Sequence, residues 1–202
     1  MSSVPVFNTV NLLLGRRGTG KTVFVTGEDG IVQDNLIDIY VQKEMKVLIL
    51  DTYDHPSYQQ VKRILPEQIN DSWKKGVYRC FVRPAEMEDL LSVVYDNFWN
   101  GALILEDAFK HQKKNLSDNC ANMVGDSKNR NVDMYFMYHT WSFVPLDLYR
   151  YLDFIELFKT KTPPGKREEN ELADNYEDVL AAYERVRNHE SRFYHETINV
   201  EQ

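Results

Sequence analysis

An α/β fold with a mainly parallel central sheet flanked by helices is what this sequence predicts, and three observations carry the prediction. Short apolar runs bounded by breakers alternate along the chain with stretches of helical periodicity. The first of these runs leads directly into a glycine-rich loop that opens a helix. Beyond the last run, a longer amphipathic pattern adds a C-terminal helix.

The elements follow in order. Residues 10–14 (VNLLL) are largely apolar and of strand length, and Gly15-Arg16-Arg17-Gly18-Thr19-Gly20-Lys21-Thr22 comes straight after them. Lys21 opens a helix expected over 21–27, and residues 34–43 place apolar side chains at helical spacing. Further strand-like runs occupy 46–51 (KVLILD), 77–82 (VYRCFV), 102–105 (ALIL), 132–138 (VDMYFMY) and 154–158 (FIELF). Pro84 is a good helix starter, so 86–97 (EMEDLLSVVYDN) reads as a helix. Residues 160–167 (TKTPPGKR) end the alternation and read as an exposed linker. After it, Leu172, Tyr176, Val179, Leu180, Tyr183 and Val186 share one side of a helix expected over 168–189, whose opposite side is mostly charged. The organisation expected is a core over 1–162 and a linker with helical tail over 163–202. That tail either covers the core's own sheet or docks on a neighbouring subunit.

Composition narrows the function classes. A chain of 202 residues buries roughly 70% of its unfolded surface without covalent staples. No apolar run approaches the ~20 residues that span a bilayer, so the chain reads as soluble with no membrane span. Residues 1–6 (MSSVPV) lack the basic start and apolar stretch of a secretory signal, and export is not expected. Cys80 and Cys120 are too few for a disulfide framework and read as buried thiols, and the five histidines show no zinc spacing. The net charge of -7 is concentrated: from Arg167 onward ten Asp/Glu face four Arg, whereas residues 1–166 hold twenty-one acids and twenty bases. A nucleic-acid partner would therefore need a local basic patch.

The glycine loop carries the chemistry. Small residues let consecutive backbone N–H groups curl around phosphates, Lys21 supplies a point charge to the outer ones, and Thr22 offers a hydroxyl to Mg²⁺. The nucleotide-binding set is Gly15, Arg16, Arg17, Gly18, Thr19, Gly20, Lys21, Thr22 and Val23, with one of the two arginines expected to face solvent, and ATP with Mg²⁺ as cofactors. Hydrolysis further needs one acid near the metal and one that orients water, at the end of a buried strand beside the loop. Glu106 and Asp107 follow the 102–105 run. By position Glu106 goes to Mg²⁺ and Asp107 to water activation, though the roles could be shared. His139, at the end of 132–138, is placed to sense the third phosphate from between the two motifs.

Together these residues resemble the FtsK/HerA superfamily of ring-forming DNA translocases, and within it the viral genome-packaging ATPases. The resemblance covers residues 8–160. It rests on the glycine loop (Walker A), the acid Asp51 after the second strand, the strand ending in Glu106-Asp107 (Walker B), and the segment Ser127-Lys128-Asn129-Arg130-Asn131-Val132-Asp133, followed by MYFMY, His139 and Val144-Pro145. The resemblance implies a RecA-like (ASCE) P-loop NTPase fold and a homo-oligomeric ring with ATP at subunit interfaces. It also implies sequence-independent double-stranded DNA as partner, contact with capsid vertex or portal proteins, and work in the host cytoplasm or on the virion. Where many relatives place an arginine that reaches into a neighbour's site, this chain has Lys128, with Arg130 two residues later. Either could supply that charge, and Arg is favoured by its planar fork.

Lys110, Lys113 and Lys114, with His111 among them, make residues 110–130 net positive, with five bases against two acids, and form the candidate DNA-facing segment; Lys74-Lys75 is a weaker one. Two other readings share the loop. A small-molecule kinase would want an arginine-rich lid, which the sequence does not show. A phage assembly or export ATPase resembling the zonula-occludens-toxin branch would usually carry a membrane segment.

Overall fold

The computed structural model of the chain describes residues 8–27, 35–70, 73–110, 112 and 114–201, and for Phe109 the backbone alone. Its elements are β1 (Val10–Leu14), α1 (Lys21–Thr26), α2 (Leu36–Gln42), β2 (Lys46–Asp51), β3 (Lys62–Ile64), β4 (Gly76–Phe81), α3 (Met87–Asn97), β5 (Gly101–Leu105), α4 (Asp118–Arg130), β6 (Val132–Tyr138), β7 (Phe154–Leu157), α5 (Lys166–Leu172), α6 (Tyr176–Asn188) and β8 (Glu196–Asn199). The strands form one sheet in the order β3-β4-β2-β5-β6-β1-β7-β8. Every pairing is parallel except that of β8 on β7.

Side chains alternate across each strand, and the two faces fill different cores. Leu12, Leu14, Leu48, Leu50, Leu103 and Leu105 point to the larger one, where they meet α3, α4 and α6 through Leu91, Met123 and Val179. Leu13, Val47, Ile49, Ala102 and Ile104 point to the smaller one, covered by Val25 of α1 and Tyr40 of α2. Burial on both faces explains why these strands read as nearly continuous apolar runs. Among the described residues, no helix is long and apolar enough to cross a membrane.

The structure departs from the sequence expectation in three places. α4 does not stand out as a helix in the sequence, because DNCANMVGDSKNR is mostly polar and its buried residues are Cys120, Met123, Val124, Ser127 and Arg130. β3, at three residues, and the polar β8 were too short and too weakly patterned to stand out. The single tail helix expected over 168–189 is broken into α5 and α6 at Ala173, which takes φ +46°, and the 3₁₀ turn Ala173–Asn175 separates them. The turn is held where Asn175 Nδ2 donates to the Val200 carbonyl (3.3 Å). Asp34, the expected first residue of the second helix, lies outside the described residues, and Asn35 caps α2 by accepting from the Asp38 N–H (3.0 Å).

The tail packs on the sheet of its own chain. Leu172, Val179, Ala182 and Tyr183 enter the larger core, and β8 extends the sheet beyond β7. Most of 160–167 is exposed, though Pro164 is buried and Lys166 and Arg167 already belong to α5.

Candidate functional site

Sheet order builds the site. β6 lies between β1 and β5, with Leu14 level with Tyr138 and Leu105 level with Phe136. The three strands therefore deliver Gly15, His139 and Glu106-Asp107 to one edge, the C-terminal edge, where parallel sheets bind ligands.

The loop after β1 leaves along a fixed path: Gly15 N–H donates to the Tyr138 carbonyl (3.1 Å) and Arg16 N–H to the Lys159 carbonyl (2.9 Å). A Cβ on Gly15 would sit 2.5 Å from the Phe158 Cβ, so only glycine fits there. Gly18 and Gly20 adopt φ of +76° and +103°, a region that side chains resist. Thr19 Oγ1 donates to the Arg16 carbonyl (2.8 Å), tightening the turn.

Lys21 is buried at 5% exposure. Its Nζ donates to the Gly15 carbonyl and lies 3.1 Å from His139 Nδ1. Burial lowers its pKa to about 8, against the pull of Glu106 and Asp107. His139 in turn sets Nε2 2.8 Å from Asp107 Oδ1, and Lys110 Nζ holds Asp107 Oδ2 at 2.6 Å. A connected chain of groups thus runs Lys21–His139–Asp107–Lys110. Asp107 reaches it from a left-handed backbone, φ +49°.

Glu106 is also buried, and Tyr58, fully buried, donates its hydroxyl to Glu106 Oε2 at 2.5 Å. Burial pushes the Glu106 carboxyl up to about 7, and the Tyr58 hydrogen bond opposes that rise. The same hydroxyl meets the Thr22 side chain. Asp51 prepares this contact: its carboxylate accepts the N–H groups of Tyr53 (2.9 Å) and His55 (2.8 Å), turning the chain after β2 so that Tyr58 arrives beneath Glu106. Burial also raises the Asp51 pKa.

Lys21, Glu106, Asp107 and His139 line a cleft of about 610 Å³, together with Arg17, Gly18, Gly20, Thr22, Val23, Tyr53, His55 and, from the C-terminal segment, Arg192 and Phe193. That is the size range of small-ligand sites. Arg17 stands on its wall, while Arg16 is exposed and is not among the wall residues. No group of three His, Cys, Asp or Glu side chains arranged for a metal occurs among the described residues. A hydroxyl at Thr22 and a carboxylate at Glu106, joined through Tyr58, do fit Mg²⁺, which binds one or two protein oxygens and completes its shell with phosphates and water.

Three candidates, Arg130, Lys110 and Lys128, are not among the cleft-wall residues. Arg130 is not free to reach outward: it is 7% exposed, its guanidinium lies 4.0 Å over Tyr95 and 4.2 Å over Trp99, and Nη1 donates to the Tyr95 carbonyl. At the end of α4 its side chain lies on the inward side, while Lys128 and Asn129 of the same turn are exposed, and the two rings hold the guanidinium by cation–π contact. Lys110 is not a free DNA-facing charge, because it is committed to Asp107 and lies over the Tyr53 ring at 2.9 Å. Lys113 and His111 lie outside the described residues, and Lys114 is exposed. Lys128 is exposed in a groove with Val10, Arg150, Asp153 and Glu201. That groove is at the strands' N-terminal edge, opposite the cleft, so Lys128 does not reach its own chain's phosphate loop. The weaker candidate pair, Lys74-Lys75, shares a groove with Lys62, Arg63, Trp73 and Tyr78, and there Lys75 pairs with Glu44 at 2.6 Å.

Tyr58, Arg192 and Phe193 were missed in the sequence. Tyr58 had no periodic signal and owes its place to the turn around Asp51. Arg192 and Phe193 lie more than 160 residues from the loop they face, just beyond the amphipathic helix expected over 168–189.

No protein-family model and no curated protein matches the chain. Solved structures do. The genome packaging NTPase B204 from Sulfolobus turreted icosahedral virus 2 in complex with sulfate aligns with a TM-score of 0.70 at 16% identity, over 95% of this chain and 91% of that one. The same NTPase in complex with ATP-gammaS aligns with a TM-score of 0.67 at 14% identity, over 95% and 96%. B204, the DNA-packaging ATPase from Sulfolobus turreted icosahedral virus, gives 0.67 at 14%, over 95% and 97%. At such identities the likeness establishes architecture, and the chain has the P-loop NTPase fold of these proteins, C-terminal helices included.

Proposed function

We propose that the chain is an ATPase that drives double-stranded DNA, packaging a viral genome into a preformed capsid, and that it works as a homo-oligomeric ring with ATP held between subunits. The observation that carries the hydrolytic part is the convergence of Lys21, Glu106, Asp107 and His139 on one cleft beside the glycine loop. The packaging part is supported by the residues shared with genome-packaging ATPases and by the common architecture with B204.

In this reading Lys21 turns its charge from the Gly15 carbonyl to the outer phosphates, and the N–H groups of the loop wrap the rest. Thr22 and Glu106 would hold Mg²⁺, which would supply charge neutralisation for the triphosphate. Asp107, fixed by His139 and Lys110, orients water and accepts its proton as the oxygen attacks the terminal phosphorus and the bond to ADP breaks. His139 touches both Lys21 and Asp107, so a change at the phosphate end is passed to the water-activating end. Lys128, exposed on the opposite edge, is the remaining candidate for the charge given to a neighbour's phosphates. Such a contribution is worth about 10³ to 10⁵ in rate, so an isolated subunit should be nearly inactive.

ATP turnover measured with and without double-stranded DNA across a range of protein concentrations tests the proposal. Turnover should rise steeply with protein concentration and rise again with DNA, and Lys21→Ala should abolish it. Turnover per subunit that is independent of concentration and of DNA would reject the motor.

A further inference from the structure

The C-terminal segment supplies a feature that the catalytic reading leaves unused. Between α6 and β8 the chain makes a compact turn whose parts lock one another. The His189 and Tyr194 rings stack at 3.9 Å, Ser191 N–H donates to His189 Nδ1 (3.1 Å), and Phe193 N–H donates to Ser191 Oγ (3.2 Å). His195 is then wedged between Phe24 of α1 and Phe158 after β7, with ring centroids at 5.1 and 4.8 Å. Beyond it Arg185 grips Glu196 with two nitrogens, at 2.9 and 2.6 Å, and β8 enters the sheet. The turn is thus fixed before any ligand arrives, which spares a ligand the cost of ordering it.

What it presents to the cleft is an aromatic ring and a planar cation. Phe193 presses on the phosphate loop so closely that a Cβ on Gly20 would lie 3.1 Å from its Cδ1, and the Arg192 guanidinium lies 4.4 Å over the Phe193 ring. The other rings on the cleft wall have partners of their own: His139 faces Asp107, Tyr53 lies beneath Lys110, and His55 packs against Tyr58 while its Nδ1 accepts from the Ser57 N–H (3.2 Å). Phosphates are served there by Lys21 and by the loop amides. A stacked pair of an aromatic ring and a guanidinium is the surface on which nucleobases stack.

We infer that Arg192 and Phe193 form the nucleoside-binding wall of the cleft, stacking on the base of a nucleoside triphosphate whose phosphates occupy the glycine loop. This rests on the reading of the cleft as a nucleotide site and adds to it the part that tells a nucleotide from a bare polyphosphate. Since every base has a π face, the wall selects for the presence of a base, with the larger purines favoured over pyrimidines.

Isothermal titration of Mg·ATP and of inorganic tripolyphosphate, each with the parent chain and with Arg192→Ala, Phe193→Ala and Phe193→Trp, decides it. Arg192→Ala and Phe193→Ala should each raise Kd for ATP by about 5- to 100-fold. Both should leave Kd for tripolyphosphate within about twofold of the parent's, and Phe193→Trp should keep ATP binding. Equal weakening of both ligands would overturn the inference, since it would place the segment on the phosphates or in the loop's support. No change in ATP affinity in either alanine variant would overturn it as well. Arg192 is exposed, so its substitution reads out binding even if Phe193→Ala loosens the turn. A parent chain that binds neither ligand would instead refute the nucleotide site itself, an outcome separate from these.

Discussion

Replacing Tyr58 by Phe removes one hydroxyl and tests how the buried acid of the site is kept usable. Glu106 has a pKa of about 7, because burial disfavours its charged form while the 2.5 Å hydrogen bond from Tyr58 favours it. A hydrogen bond to a charged acceptor is worth about 1.5–3 kcal/mol, and about 1.4 kcal/mol corresponds to one pH unit. Loss of the hydroxyl therefore moves the Glu106 midpoint up by about one to two pH units, to about 8 or 9. At pH 7 the ionised fraction falls from about one half to between roughly one-tenth and one-hundredth, so kcat/KM for ATP drops about 5- to 50-fold and recovers as the pH is raised. The assay is kcat/KM against pH for both proteins, since this ratio reports the groups of the free enzyme. An acid limb with the same midpoint in Tyr58→Phe as in the parent would refute the reasoning, whatever the absolute rate.

Other outcomes follow from the same geometry. Burial pushes Glu156, which accepts from Thr197 Oγ1 at 2.8 Å, up to about 7. A carboxyl with a raised pKa favours the folded state below its unfolded value near 4.5, and that contribution is lost as pH climbs through 7. Urea denaturation should therefore show Glu156→Gln gaining up to about 3 kcal/mol relative to the parent between pH 4 and pH 8; an equal offset at both pH values contradicts it. Arg130→Ala should lower stability by about 1–3 kcal/mol through loss of two ring contacts, whereas Lys128→Ala should leave stability unchanged and cut turnover of the assembled protein at least about 10³-fold. Full turnover in Lys128→Ala removes it from the shared site. If the groove of Lys62, Arg63, Lys74 and Lys75 contacts DNA, replacing all four should reduce the slope of log K against log salt by up to about four, and an unchanged slope rejects the surface.

Much of the site was legible because its parts are local. A glycine loop needs its residues consecutive, and the acids must follow a strand, so Gly15 to Thr22 and Glu106-Asp107 stand out without any knowledge of the fold. The strands were legible for a related reason: both faces of β1, β2, β5 and β6 are buried, which forces apolar residues at nearly every position. What escaped depends on contacts between distant segments. Nothing in the neighbourhood of Tyr58 shows that Asp51 will gather the amides of Tyr53 and His55 and so aim a hydroxyl at Glu106. The burial of Arg130 was not legible because its partners, Tyr95 and Trp99, sit on and just after α3. A basic residue at the end of a polar helix looks exposed until its neighbour is known.

The placement of β6 explains why the site is coupled and not merely assembled. Had β5 paired directly with β1, the acids would stand beside the phosphate loop with nothing between them. Inserting β6 separates the loop from the acids by one strand, and His139 spans the gap by meeting Lys21 on one side and Asp107 on the other. Lys21 and Glu106 are each pushed toward neutrality by burial, to about 8 and about 7, and each is held charged in part by the other. A phosphate that draws Lys21 away must then alter both His139 and Glu106. His139→Ala should accordingly leave ATP affinity within about threefold, since Lys21 and the loop amides remain, yet lower kcat by about 10²- to 10⁴-fold, as expected for loss of a group that acts during the chemical step. Parallel losses in affinity and kcat would mean that His139 only supports the loop, and the coupling argued from the strand order would fail.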